Sequence, residues 1–261
     1  MTPAELHLLS IPLPTGEATI FDTGAGRPVV FVHGYPGRPQ DFRWLVPLLS
    51  STRAVGVALP GLDLTPLSSG PDPSVAGRGR FLSSVLDALQ IDRCVLVGHS
   101  MGGVLAAEIA ARQPDRVAGL ALCSSIGLSI HQGFRNVRPR LAEFMATAPG
   151  LSVLTRPLIE AGFRSAGFPP GVSWPAMQHT LRCAAAIDFA ENRAIFSAVR
   201  APTLVAWTED DALIEPAVSV ELAAAVPDGP RLCWPTGGHA SVKKRAVELA
   251  EGMQAWLDEL A

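Results

Sequence analysis

Val95–Gly103 reads VLVGHSMGG: an apolar run, then one serine between Gly98 and Gly102, then an alanine-rich stretch through Ala111. A continuous apolar run suits a strand buried on both faces of a parallel sheet. Met101–Arg112 reads as a helix stopped at Gln113-Pro114. The small residues between them allow a sharp strand-to-helix turn with Ser100 at its apex. Such an apex strains its residue and exposes the hydroxyl. The following helix aims its first amides at the same point, where an oxyanion could be held. Gly-x-Ser-x-Gly is common in loops, but with a buried strand before it and a helix after it Ser100 becomes a candidate nucleophile.

Outward from this turn, strand and helix patterns alternate. Pro28–Val32, Ala54–Leu59, Cys94–Val97, Val117–Cys123, Thr203–Trp207 and Arg231–Trp234 are short apolar runs, and Leu6–Ile11 and Ala18–Phe21 read as further short strands. Pro73–Gln90 reads as a helix with Phe81, Val85, Leu86 and Leu89 on one face. Phe42–Ser51 reads as a short helix capped by Asp41, and Pro216–Val226 and Val242–Leu260 as two more helices. This order predicts an α/β fold: a mostly parallel central sheet with helices on both faces. Residues 126–196 break the alternation. Their pieces Arg140–Thr147, Leu151–Ala161 and Trp174–Ala186 predict a helical insertion, dividing the chain into a core, 1–125 and 197–261, and the insertion, 126–196.

A serine needs a base to take its proton and an acid to orient that base, in the chain order Ser, acid, His for this architecture. Downstream of Ser100 lie His131, His179 and His239, the first two within the insertion. His239 sits in a glycine-rich loop between the last strand and the last helix, where it can reach back across the sheet. The acid is expected just after Thr203–Trp207, where Glu209, Asp210 and Asp211 compete.

Composition narrows the classes. The 261 residues are 48% hydrophobic and 17% charged, so a substantial core is expected and disorder is not. With net charge −3 and Lys243-Lys244-Arg245 as the densest basic cluster, no nucleic-acid partner is expected. The first residues carry Glu5 and neither a basic region nor a long apolar run, so no signal peptide is expected. No membrane span is expected either, and a cytoplasmic location follows as an expectation. Cys94, Cys123, Cys183 and Cys233 are widely spaced, with no C-x-x-C pair, and are expected to be buried free thiols.

Four motifs in this order, His33-Gly34-Tyr35-Pro36-Gly37, Gly98-His99-Ser100-Met101-Gly102-Gly103, Thr208-Glu209-Asp210-Asp211 and Gly238-His239, resemble the α/β-hydrolase family over nearly the whole chain. The resemblance implies a Ser100–Asp211–His239 triad. Members often carry Gly-x-x-Asp at the acid turn, and Thr208 takes the Gly place here. It also implies an oxyanion hole from the backbone N–H groups of Tyr35 and Met101, and a cap over the active site formed by residues 126–196. His33 and His99 are expected to be structural. Where many members have Asp-x-x-Gly-x-Gly-x-Ser, this chain has Ala58–Thr65, with Thr65 in the Ser place, so an altered loop path is expected, and Asp63 is a solvated turn residue or, as the lesser alternative, a pocket carboxylate. His-Gly-Tyr-Pro also resembles epoxide hydrolases and dehalogenases, but those use Asp where Ser100 stands.

The implied activity is hydrolysis of a medium-sized, mostly apolar ester, thioester or lactone on a small molecule, with no metal or organic cofactor. The alternatives on this scaffold are cyclisation, acyl transfer, carbon–carbon cleavage, peroxide-dependent halogenation, or a small-molecule receptor. Phe134, Leu141, Phe144, Met145, Phe163, Phe168, Trp174 and Met177 would line the pocket if they face inward, or form the insertion's own core. Arg135, Arg138 and Arg140 are candidates for an anionic group or simply solvated side chains.

Overall fold

Alternate residues of each central strand serve two different cores. In β3 (Arg27–Val32), Val30 and Val32 pack on one side of the sheet and Val29 and Phe31 on the other. This is the pleat's period of two, and it is why both-face apolar runs mark these strands. The computed structural model describes residues 3–62, 64–65, 72–165 and 171–260.

The other strands are β1 (Leu9–Leu13), β2 (Gly16–Thr23), β4 (Thr52–Val57), β5 (Cys94–His99), β6 (Val117–Cys123), β7 (Thr203–Thr208) and β8 (Arg231–Trp234). They form one eight-stranded sheet in the order β1-β2-β4-β3-β5-β6-β7-β8. β3 to β8 are parallel, and β1 and β2 add an antiparallel hairpin at one edge.

Helices α1 (Val75–Ala88) and α2 (Met101–Arg112) cover one face through Leu82, Val85, Leu86, Val104 and Leu105. The other face is closed near the carboxyl end of the chain, where the sequence pattern suggested one helix. The structure has two, α9 (Ser241–Lys244) and α10 (Ala246–Glu259), parted at Arg245, whose guanidinium is drawn to the Thr236 carbonyl at 2.7 Å. Met253, Trp256 and Leu257 of α10 are almost fully buried. Burial of that size stabilises by roughly 1.5–3 kcal/mol per side chain. The expected helix after Asp41 is instead two 3-10 turns, Pro39–Phe42 and Val46–Leu48, each with a proline at its first or second position. Asp41 lies inside the first, where its carboxylate accepts the Arg38 N–H at 2.9 Å.

Between β6 and β7 the chain forms α3 (Gln132–Val137), α4 (Pro139–Thr147), α5 (Leu151–Ser165), α6 (Trp174–Ala185) and α7 (Phe189–Ala198). Helix α8 (Pro216–Ala225) then separates β7 from β8. The insertion has its own small core of Ala146, Ile159, Phe163 and Leu181, packed by Met145, Trp174 and Met177. Leu141 and Phe144 face solvent, Phe134 packs against His131 and Phe189, and Phe168 lies outside the described residues. The proposed pocket lining is thus mainly the insertion's own core and outer surface.

Cys94, Cys123 and Cys183 are buried free thiols, but Cys233 is exposed, because the edge strand β8 turns that side chain outward. Among the described residues, no helix is long and apolar enough to cross a membrane.

Candidate active site

Ser100 stands between β5 and α2 with φ 57° and ψ −124°, a left-handed-side conformation that a non-glycine residue adopts only under constraint. The constraint is visible. The Ser100 N–H donates to the Cys123 carbonyl at 3.1 Å, and the Gly103 and Ile126 N–H groups both donate to the Ser100 carbonyl. Gly102 lets α2 start directly beneath β3: a Cβ there would lie 2.2 Å from the Val32 carbonyl oxygen.

His239 bridges from the loop after β8. Its Nε2 lies 2.9 Å from Ser100 Oγ and its Nδ1 lies 2.9 Å from Asp211 Oδ2. An ionised carboxylate only accepts, so Nδ1 carries the proton and Nε2 is left free to accept from the serine hydroxyl. Asp211 is 4% exposed, and its other oxygen accepts the N–H groups of Leu213 and Ile214 at 2.9 and 3.0 Å. Burial alone would raise its pKa. The His239 hydrogen bond and charge, with the two amides, outweigh that and hold the carboxyl below its ordinary value.

The neighbouring carboxylates do other things. Asp210 accepts the Gly237 and Gly238 N–H groups at 3.1 and 2.6 Å, and these bonds depress its pKa. It therefore holds the loop that carries His239. Glu209 is exposed. His99 adds a second restraint on the same loop: its Nε2–H donates to the His239 carbonyl at 2.8 Å. Burial pushes the His99 pKa down to about 3, so it stays neutral. His33 is likewise structural, donating from Nδ1 to the Gly34 carbonyl and accepting the Leu59 N–H at Nε2.

Gly34 lies hard against the serine, since a Cβ built on it would be 2.8 Å from Ser100 Cβ. Tyr35, the next residue, and Met101, the first of α2, therefore flank Ser100 from two elements. The Met101 N–H belongs to the first turn of α2, whose donors have no partner within the helix. Gly34, Tyr35, Ser100 and His239 line an open cleft of about 630 Å³, which also takes in Arg38, Arg43 and Lys243. A second cleft of about 400 Å³, between α1 and α2, contains none of these groups.

The insertion meets the core here. The Tyr35 and His179 ring centroids are 6.1 Å apart, and His179 rests against Gly61. In the Ala58–Thr65 stretch, the Thr65 hydroxyl donates to the Ala58 carbonyl and accepts the Thr19 N–H, tying the loop to β2. Asp63 lies outside the described residues. His131 is buried, donates from Nδ1 to the Leu213 carbonyl at 2.8 Å and leaves Nε2 without a partner. Of the three arginines considered for an anion, Arg135 pairs with Glu215.

One residue passed unnoticed in the sequence. Arg78 is fully buried on α1. It lies four and seven residues before Leu82 and Val85, on the apolar stripe, and a charge on that stripe was the signal.

A serine hydroxyl, an imidazole of fixed tautomer and a buried carboxylate are thus hydrogen-bonded in series, an arrangement chemically able to deliver the hydroxyl oxygen to an electrophilic carbon. No group of three or more His, Cys, Asp or Glu among the described residues is arranged to hold a metal ion.

The alpha/beta hydrolase family model matches residues 29–251. A relative from Variovorax paradoxus, provisionally named carbamate hydrolase RutD, is 31% identical over 250 residues, 89% of this chain and 88% of that protein. A 2-hydroxy-6-oxo-2,4-heptadienoate hydrolase from Pseudomonas putida is 38% identical over 117 residues, covering 43% of this chain and 42% of the relative. A thermophilic esterase structure from Thermogutta terrifontis superposes with a TM-score of 0.75 at 23% identity, over 97% of this chain and 99% of that one, a likeness of fold. With the family model spanning most of the sheet and the whole Ser100–His239 stretch, the chain belongs to the alpha/beta hydrolase family and is an enzyme of that family.

Proposed function

We propose that the protein is a serine hydrolase that cleaves a medium-sized, mostly apolar carboxylic ester, thioester or lactone through an acyl-enzyme on Ser100. The observation that carries this reading is the continuous path Ser100 Oγ–His239–Asp211, 2.9 Å at each contact. Ser100 Oγ attacks the carbonyl carbon while His239 Nε2 takes its proton. The N–H groups of Tyr35 and Met101 meet the oxygen that becomes negative. Collapse breaks the bond to the leaving oxygen or sulfur, which departs with the proton from Nε2. Water then adds to the acyl carbon, gives its proton to Nε2, and the second collapse frees the acid and Ser100. Asp211 orients the ring and stabilises the imidazolium. The helical insertion acts as a cap, with His179 against Gly61 as its footing.

The test is turnover of a p-nitrophenyl ester series by the wild type and by Ser100→Ala. Activity should peak at one acyl length and fall about 10⁴-fold to 10⁶-fold in the variant. A folded variant that keeps its turnover contradicts the reading. A second reading, carbon–carbon hydrolysis on the same groups, draws on the heptadienoate hydrolase relative, whose named substrate contains no ester. Inactivity on every ester, with cleavage of a dienoate ketone, would favour it.

A further inference from the structure

His131 is a buried histidine of the insertion, and the serine mechanism does not use it. It stands just before α3, with its ring against Phe134 of α3 and Phe189 of α7, at centroid distances of 4.8 and 6.3 Å. Its Nδ1–H donates to the Leu213 carbonyl at 2.8 Å, and its Nε2 meets no partner. A neutral ring carries one proton and a carbonyl only accepts, so that proton is on Nδ1. Burial, which lowers the His131 pKa, keeps the ring neutral.

The carbonyl it holds belongs to the turn that carries Asp211. The Leu213 oxygen and the Ile214 N–H are opposite edges of one peptide unit, which stays planar. That Ile214 N–H donates to Asp211 Oδ1 at 3.0 Å. His131 is therefore two hydrogen bonds from the carboxylate, with one rigid plane between them. A donor on the carbonyl edge also polarises the amide and strengthens the N–H on the other edge. The line continues through Asp211 Oδ2 and His239 to Ser100 Oγ, at 2.9 Å for each contact. The Leu213 oxygen also accepts the Gly133 N–H at 2.9 Å, while Glu215 accepts the Gln132 N–H at 2.7 Å and pairs with Arg135. The start of the insertion thus grips residues 213–215 of the acid turn. Leu213 lines the cleft beside Ser100, whereas the His131 side chain is buried and does not line it.

We propose that His131 is a positioning residue for the acid of the site. It pins the Leu213–Ile214 peptide that holds Asp211 Oδ1, and so makes the insertion part of the line that moves the Ser100 proton. This rests on the reading of Ser100 as a nucleophile activated by His239 and oriented through Asp211. A base displaced by a fraction of an ångström transfers its proton poorly, so the grip on the acid turn acts on turnover and leaves substrate binding alone.

The test compares kcat, KM and melting temperature in wild type, His131→Asn, His131→Gln and His131→Leu, on the best p-nitrophenyl ester. Asparagine puts an N–H donor on the atom that corresponds to Nδ1, glutamine carries its donor one bond farther out, and leucine fills the space without one. All three lose the ring contacts with Phe134 and Phe189. His131→Leu and His131→Gln should lower kcat by about 10-fold to 100-fold with KM within about twofold, the scale of a small misplacement at a reacting group. His131→Asn should recover most of kcat although its melting temperature falls as well. Turnover that simply follows melting temperature, with His131→Asn no better than His131→Leu, overturns the proposal, and so does unchanged kcat in every variant. The far-downfield proton resonance of His239 Nδ1–H needs no substrate, and separates this from failure of the hydrolase reading. Its loss or faster exchange with water in His131→Leu, with retention in His131→Asn, supports the positioning role even where no ester is turned over. A resonance missing from wild type, or identical in every variant, overturns it.

Discussion

Replacing Asp211 by Asn tests the logic of the site more sharply than removing it. Oδ1 of Asp211 accepts two backbone N–H groups, from Leu213 and Ile214, and Oδ2 accepts from His239 Nδ1. An asparagine has one oxygen and one NH₂ to offer. Turning the NH₂ toward the two amides would set donors against donors in a buried site. The oxygen must therefore stay with Leu213 and Ile214, leaving the NH₂ facing Nδ1. Nδ1 then becomes an acceptor, the ring's proton moves to Nε2, and Nε2 can no longer take the Ser100 proton. The structure survives and the tautomer is wrong, so kcat/KM should fall about 10⁴-fold, roughly 5 kcal/mol of barrier. The assay is steady-state hydrolysis of the best p-nitrophenyl ester at neutral pH, with Asp210→Asn alongside. Asp210 contacts the Gly237 and Gly238 N–H groups, so its variant should lose less than about tenfold. An Asp211→Asn enzyme within tenfold of wild type, or an Asp210→Asn enzyme that falls as far as Asp211→Asn is expected to, would contradict the assignment of Asp211 as the residue that fixes the His239 tautomer.

Gly102→Ala should prevent native folding, because its Cβ would sit 2.2 Å from a backbone oxygen of β3 that cannot move aside; normal solubility and melting temperature would contradict this. Acid should destabilise the fold through His179, which is buried, and His99, which is half-buried and desolvated beside the His239 loop. Burial lowers His99 from 6.5 to about 3 and His179 to about 4, so the unfolded chain binds more protons in this window. Stability is then complete above about pH 6.5 and is lost on acidification, with each such histidine contributing about 1.4 kcal/mol per pH unit down to its folded pKa. Urea unfolding at several pH values reads this slope, and His99→Gln should flatten it; an unchanged slope would count against a neutral His99.

The parallel strands were legible because a strand covered on both faces needs apolar residues at every position, as Val29–Val32 shows. Ser100 and His239 were legible because each sits where a strand gives way to a turn. The choice among Glu209, Asp210 and Asp211 was not readable from spacing alone: it depends on which carboxylate the β7 turn directs inward, and resemblance to the family supplied the residue that geometry places on His239. The insertion was least legible. Leu141 and Phe144 could as well have faced inward, since an amphipathic helix does not state which side its partner lies on. Helix α3 is six residues long and carries too little periodicity to announce itself, and α7 opens a segment whose apolar residues pack into the main core beside α2. Arg78 was legible in principle, as a charge on a buried stripe.

We propose Ser100 as a nucleophile activated by His239. Labelling the folded protein with a small fluorophosphonate and mapping the adduct by peptide mass tests it most directly. A single adduct on Ser100 is expected, absent in Ser100→Ala and strongly slowed in His239→Ala. An adduct on another residue, or Ser100 labelling at the same rate without His239, would contradict it.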